Sequence, residues 1–382
     1  MEKSEAKMAK RVMTGDERTE LYMPLVKGKR LALFSNQTGL VGEEHRHVLD
    51  LLVEKGARVT AVFSPEHGFR GNADAGALVE DEVDGKTGIP ILSLYGQNRK
   101  KHLGEDAIGL FDVLLVDIQD VGLRYYTYYV TMCHLMDACA KYGREVIILD
   151  RPNPNGHYVD GPILDMALRS GVGHLPIPVV HGMTLGELAR MAVGEKWLNE
   201  GNVCKLTVIP CLNYTHQTHY ALPVAPSPNL PNMQAIYLYP SLCPFEGTVV
   251  SLGRGTDKPF QQYGHPQMRA CHSHTFTPQS VPGATHPPLL GQECYGRDLS
   301  TIPYDTIWKQ QMSLAYVIDA YRCLQKEGKA EGFFTSFFDK LLGQTYVREM
   351  IEAGYSEAEI RARWKDDVEE FKRKREKYLI YE

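Results

Sequence analysis

Four short segments carry side chains able to do acid–base or sugar chemistry: Ser35-Asn36-Gln37-Thr38-Gly39, Ser64-Pro65-Glu66-His67-Gly68-Phe69-Arg70-Gly71, Gln119-Asp120-Val121-Gly122-Leu123-Arg124-Tyr125-Tyr126 and Asp150-Arg151-Pro152-Asn153-Pro154-Asn155. Amides and carboxylates pair hydroxyls, tyrosine faces pack against C–H surfaces, and arginine can grip a carboxylate through two parallel bonds. The set suits a sugar or another polyhydroxylated ligand, with Asn36, Gln37, His67, Arg70, Gln119, Arg124, Tyr125, Arg151 and Asn153 as candidate binding residues. Glu66, between Pro65 and Gly68, caps no helix and sits on no solvated face. It is the first candidate for a general acid, its proton retained by partial burial. Glycoside hydrolysis normally uses a second carboxyl. Asp117, Asp120 and Asp150 could supply it, and Glu246 could reach the same cleft from a second domain. Asn153 and Asn155 beside prolines serve equally well as turn formers, and Asp117 inside an apolar run equally well as a structural acid.

Each segment directly follows an apolar, β-rich run, so the chemistry depends on what those runs become. Runs at 30–34, 58–63, 91–94, 113–118, 146–149 and 205–209 alternate with helical patterns at 43–55 and 128–142 and with a capping box opening at Thr184-Leu185-Gly186-Glu187. This alternation predicts an α/β fold around a parallel sheet, whose ligands bind outside the carboxyl ends of the strands. The stretch Pro223-Val224-Ala225-Pro226-Ser227-Pro228-Asn229-Leu230-Pro231 suits neither helix nor inner strand and marks a domain boundary. The expected division is 20–230 and 231–382, the second part irregular at first and helical towards its end. There Trp364, Val368 and Phe371 fall at helical spacing.

Composition narrows the functional classes. With 382 residues, 43% of them hydrophobic, and a net charge of −5, the chain offers no basic field for nucleic acid or an anionic bilayer. The run Lys372-Arg373-Lys374-Arg375 is interleaved with acids and reads as a solvated helix face. No apolar stretch approaches the ~20 residues of a membrane span, and the charged start lacks a secretory pattern. On that pattern the chain as given reads as cytoplasmic. The eight cysteines show no Cys-x-x-Cys pair, which predicts mostly reduced, structural thiols. No nucleotide fingerprint, phosphate loop or nucleophile elbow occurs. The pairs His45/His47, His216/His219 and His272/His274 lack the companions of a zinc site. No cofactor and no metal are expected.

Taken with Asp117-Ile118-Gln119-Asp120-Val121-Gly122, His181-Gly182-Met183-Thr184-Leu185-Gly186-Glu187-Leu188, Pro226-Ser227-Pro228-Asn229-Leu230-Pro231, Phe245-Glu246-Gly247-Thr248 and Gly253-Arg254-Gly255-Thr256, these segments resemble the NamZ-type exo-β-N-acetylmuramidases, a glycoside hydrolase family. The resemblance runs close to full length. It implies a Rossmann-like catalytic domain without a nucleotide and a smaller α+β C-terminal domain closing the cleft. It implies release of N-acetylmuramic acid (MurNAc) from the non-reducing end of peptidoglycan fragments such as MurNAc-GlcNAc, with the family's glutamate falling on Glu66. The lactyl carboxylate of that sugar calls for an arginine, from among Arg70, Arg124, Arg151 and Arg254. Members of the family are often exported. Val249-Val250 departs from the more polar pair expected after Glu246-Gly247-Thr248. If no second carboxyl lies in reach, the sugar's own acetamido group can act as nucleophile. A non-catalytic sugar-binding module would use the same amides and tyrosines without needing Glu66.

Overall fold

The computed structural model describes residues 11–65, 69, 81–94, 103–199 and 202–382. Its centre is a seven-stranded sheet built from β1 (Arg30–Ser35), β4 (Arg58–Ser64), β5 (Glu82–Val83), β6 (Pro90–Ser93), β7 (Val113–Asp117), β8 (Glu145–Leu149) and β9 (Lys205–Ile209). The spatial order is β5-β6-β4-β1-β7-β8-β9, every pair parallel except β5 on β6. All six apolar runs marked in the sequence are strands, with ends displaced by no more than one residue. The physical reason is burial on both faces: β7 is buried at every position and β1 at all but its first, so continuous Val, Leu and Ile replace an alternating pattern.

Alternate residues of these strands feed two apolar layers. Leu31, Leu33, Val62, Leu115 and Ile147 face helices α1 (Thr19–Val26) and α2 (Val48–Glu54). Ala32, Phe34, Leu114, Val116 and Ile148 join a larger core. It includes residues of α3 (Glu105–Ile108), α4 (Tyr128–Lys141) and α5 (Leu185–Gly194), and it continues into the C-terminal region. Helix α5 starts as its sequence predicts, with Thr184 accepting from the Glu187 N–H and Glu187 accepting from the Thr184 N–H.

The helix expected over 43–55 is shorter. A hairpin of β2 (Leu40–Val41) and β3 (Arg46–His47) comes first, its turn using Gly42 and His45 at φ 63° and 50°. The His47 imidazole then accepts the Leu49 N–H and fixes the helix start at Val48.

The C-terminal region begins with α6 (Met233–Leu242). An antiparallel sheet follows, in which β12 (Cys294–Asp298) lies between β10 (Gln262–His265) and β11 (His274–Phe276). Helices α7 (Tyr304–Gln310), α8 (Ala315–Lys326), α9 (Ser336–Leu342), α10 (Tyr346–Glu352), α11 (Glu357–Ala362) and α12 (Lys365–Arg375) complete it. Trp364, Val368 and Phe371 are buried, as their spacing predicts.

The cysteines are mostly reduced, as expected, with one pair excepted. Cys271 and Cys323 form a disulfide that ties the loop before β11 to α8, while the other six are free and buried.

The chain then returns to the first sheet. The backbone N–H groups of Ile380 and Tyr381 donate to Glu187, and the Tyr381 hydroxyl donates to Asp150 at 2.7 Å. Among the described residues no helix is long and apolar enough to cross a membrane.

Candidate active site

The sheet order fixes where a site can form. From β1 the chain winds outward through β4 to β6, then crosses back to lay β7 on the other side of β1. The crevice between the ends of β1 and β7, where Ser35 pairs with Asp117, is the switch point at which such sheets bind ligands. The segments after both strands contain Asn36, Gln37, Gln119 and Asp120.

The structure divides the candidate residues into those facing a cleft and those committed to the scaffold. Arg124 belongs to the scaffold. Its side chain is fully buried, Nη1 donates to the carbonyls of Pro162 and Ile177 at 2.7 and 2.8 Å, and Nη2 donates to that of Leu341 at 2.9 Å. Burial lowers its pKa to about 10. Gly343, which ends α9 at φ 70°, is required there, since a Cβ would stand 2.7 Å from Arg124 Nη2.

Arg151 is also committed. Its Nε reaches Asp117 Oδ1 at 2.7 Å and its Nη2 reaches Asp16 Oδ2 at 2.6 Å, all three side chains being buried. Burial pushes both carboxyls up in pKa while the guanidinium between them opposes the shift. Asp117 is thereby the structural acid its apolar setting allows.

Asp150 is held in the same way. Oδ2 accepts from the hydroxyls of Thr184 at 2.6 Å and Tyr381 at 2.7 Å, and Oδ1 accepts from the Gly186 N–H at 2.9 Å. Both oxygens serve to join β8 to the start of α5, and burial lifts the pKa to about 6. Arg124, Arg151 and Asp150 are thus held by the scaffold and do not line the cleft.

Asn153 and Asn155 are loop-lockers: Asn153 Nδ2 donates to the Met183 carbonyl at 2.9 Å, and its Oδ1 accepts the Asn155 N–H at 2.8 Å. Gln119 Nε2 donates to the carbonyls of Asp120 and Pro152. Asn36 Nδ2 donates to the Tyr128 hydroxyl at 3.0 Å, and Gln37 Nε2 donates to the Ala225 carbonyl at 3.2 Å.

Gln37 and Gln119 each leave Oε1 without a partner among the described residues, and Asp120 likewise leaves one oxygen uncommitted. Oδ1 accepts the Gly122 N–H at 2.8 Å, whereas Oδ2 has no partner within the described protein. Burial raises the pKa to about 7 against the pull of the backbone N–H groups. A carboxyl whose pKa lies near neutrality can gain or lose its proton at working pH.

Beside these strand ends lies a cleft of about 290 Å³ lined by Tyr125, Tyr126, Thr127, Tyr128, Ser227, Asn229, Tyr239, Glu246, Arg254 and Phe260, among others. Its wall is fixed by the Pro226 carbonyl, which accepts from the hydroxyls of both Tyr126 and Tyr128 at 3.0 Å. Arg254 donates through Nε and Nη2 to Glu246 Oε1, and its guanidinium lies 5.0 Å from the centre of the Phe260 ring. Burial works against its charge, but Glu246 holds its pKa above the ordinary value. Of the sequence candidates, Tyr125, Glu246 and Arg254 line this cleft. Glu66, His67 and Arg70 lie outside the described residues.

Reading the sequence passed over Tyr126, Tyr128, Ser227 and Asn229 as lining groups. The run Tyr125-Tyr126-Thr127-Tyr128-Tyr129 signals the first two. The proline-rich stretch, read as a boundary, supplies the others.

Fold and cleft together define a Rossmann-like α/β protein with an aromatic, polar cleft beside its strand ends. Comparison with known proteins narrows this. The profile for the N-terminal part of exo-beta-N-acetylmuramidase NamZ matches residues 31–234, and that for its C-terminal part matches 237–381. The peptidoglycan beta-N-acetylmuramidase NamZ of Bacillus subtilis (strain 168) is 37% identical over 376 residues, covering 94% of this chain and 89% of that protein. The chain belongs to the NamZ exo-beta-N-acetylmuramidase family and is a glycosidase.

Two crystal structures of DUF1343 family proteins from Bacteroides fragilis share the fold. One is 58% identical with a TM-score of 0.89 over 98% of this chain and 99% of its own. The other is 27% identical with a TM-score of 0.82 over 97% and 99%.

Proposed function

We propose that this enzyme removes N-acetylmuramic acid from the non-reducing end of peptidoglycan-derived glycans such as MurNAc-GlcNAc. The observation that supports this most is the Glu246–Arg254 pair, set among tyrosines in a cleft sized for one substituted sugar ring. MurNAc differs from its neighbour GlcNAc by a lactyl carboxylate. Arg254 is the arginine among the described candidates that lines the cleft, and its planar fork suits that group. Glu246 keeps the guanidinium oriented, and the tyrosine rings present apolar faces to the pyranose.

In this reading Glu66, two residues beyond β4, protonates the leaving oxygen. Asp120 supplies the second carboxyl, acting as the carboxylate once the pH passes its raised value of about 7, by analogy with the paired carboxyls of glycosidases and because it alone among the three strand-end aspartates has an uncommitted oxygen.

The test uses a chromogenic β-MurNAc glycoside and a MurNAc-terminated oligosaccharide with mass-spectrometric detection of free MurNAc. Glu66→Gln should lower kcat by at least about 10² while ligand binding persists. Arg254→Ala should lower kcat/KM on MurNAc substrates roughly 10- to 100-fold, as expected for loss of a charge-assisted contact, with little effect on the matching GlcNAc glycoside. Undiminished turnover by Glu66→Gln, or no free MurNAc from the parent enzyme, would refute the proposal. Full activity in Asp120→Asn would transfer the second role to the substrate's acetamido group.

A further inference from the structure

Behind one wall of the cleft, two imidazoles and a carboxylate converge. His134 and Asp137 stand three residues apart on one face of α4, and His174 meets them from the loop after 170. One ligand atom from each lies within 4.8 Å of the other two. We propose that His134, Asp137 and His174 bind a divalent transition-metal ion, with zinc the best match. The inference stands on this cluster alone and is independent of the substrate reading above.

Two nitrogens and one oxygen form a donor set of intermediate softness, which suits Zn²⁺ and leaves a fourth position for water. Tetrahedral zinc, with bonds of about 2.0–2.2 Å to such donors, sets ligand atoms about 3.4 Å apart, so the three atoms, now within 4.8 Å of one another, must draw together on binding.

Two further features fit a cation. Asn199 donates to both oxygens of Asp137, from its backbone N–H and from Nδ2, each at 2.7 Å. This orients the carboxylate as a second layer of hydrogen bonds orients metal ligands, and leaves each oxygen another lone pair. The site also already draws positive charge: Arg169 lies against both ring nitrogens of His174, its Nη2 2.8 Å from Nε2 and 3.2 Å from Nδ1. Arg169 is exposed, so its guanidinium can turn into solvent when a metal arrives.

The consequence would fall on the cleft. Val130 and Thr131 precede His134 by one turn of α4, and Gly171 and Val172 precede His174, all four lining the cleft. The His174 N–H also donates to the Tyr129 hydroxyl at 3.0 Å. A metal would clamp the 170–174 loop to α4 and stiffen that wall, acting on KM more than on kcat.

The experiment is titration of the untagged, chelator-treated full chain with Zn²⁺ by calorimetry, repeated with Co²⁺ for its visible absorption. The expected result is one zinc per chain and d–d bands in the cobalt form. His134→Gln and Asp137→Asn should each weaken binding by at least about tenfold while circular dichroism remains that of the parent. The proposal is overturned if zinc does not bind stoichiometrically, or if its affinity is unchanged in both folded variants.

Discussion

Replacing Asp120 by asparagine removes an ionisation while keeping the shape of the side chain. In the folded chain this carboxyl keeps its proton to about pH 7, against an ordinary 3.8, because burial disfavours the charged form. The folded state thus binds the proton more tightly than the unfolded chain does. The stability this confers is fully present below the unfolded value and is lost as the pH rises through the folded one. At about 1.4 kcal/mol per pH unit, the interval bounds the loss at about 4 kcal/mol, and local relaxation leaves of the order of 2–3 kcal/mol. Asparagine is neutral throughout, and its Oδ1 can retain the 2.8 Å bond from the Gly122 N–H. In urea denaturation Asp120→Asn should therefore exceed the parent by roughly 2–3 kcal/mol at pH 8, the advantage shrinking to about 1 kcal/mol near pH 4.5. Hydrolysis of the β-MurNAc glycoside should fall by at least about 10². Stability gained with activity lost marks a group retained for chemistry. Parallel pH profiles for parent and variant, or a less stable variant at pH 8, would refute the electrostatic reasoning.

Three other substitutions probe the scaffold. Arg151→Met strands Asp16 and Asp117 without their shared cation and should destabilise by about 3–5 kcal/mol at pH 8; the deficit should narrow as the pH falls and the carboxyls protonate, which urea midpoints at two pH values would reveal. Tyr381→Phe deletes a donor to a fully buried carboxylate and should cost about 1.5–3 kcal/mol, with a lowered thermal midpoint as the readout. Gly343→Ala meets both a left-handed backbone and the Arg124 guanidinium, so a loss of more than about 1 kcal/mol is expected; an unchanged midpoint would show that Arg124 moves freely.

The scaffold was legible because it follows from local pattern. Two-faced burial writes continuous apolar runs, and six such runs gave six strands. What the sequence hid was the fate of polar groups at the strand ends. Arg124 and Arg151 both follow strands and both look like substrate clamps. Yet Arg124 finds acceptors 38, 53 and 217 residues away, and Arg151 finds Asp16 135 residues upstream. Asp150 could not be told from a catalytic acid without Tyr381, 231 residues downstream. The same holds in the opposite direction for metal ligands. Histidines close in sequence drew attention, while His134 and His174 meet only because α4 and the 170–174 loop pack together. The Pro223 to Pro231 stretch was read from its composition as a boundary, and composition is silent on the Pro226 carbonyl, which anchors two tyrosines of the cleft.

The return of residues 380–382 to the first sheet bears on how the protein is made. Glu187 and Asp150 take hydrogen bonds from Ile380 and Tyr381, and the Tyr381 hydroxyl accepts the N–H of Cys211 from 170 residues downstream. On the ribosome, the β8–β9 edge and the start of α5 emerge long before the groups of 380–381 that hydrogen-bond their buried acids. That edge stays open until residues 380 and 381 have been made and have folded back onto it.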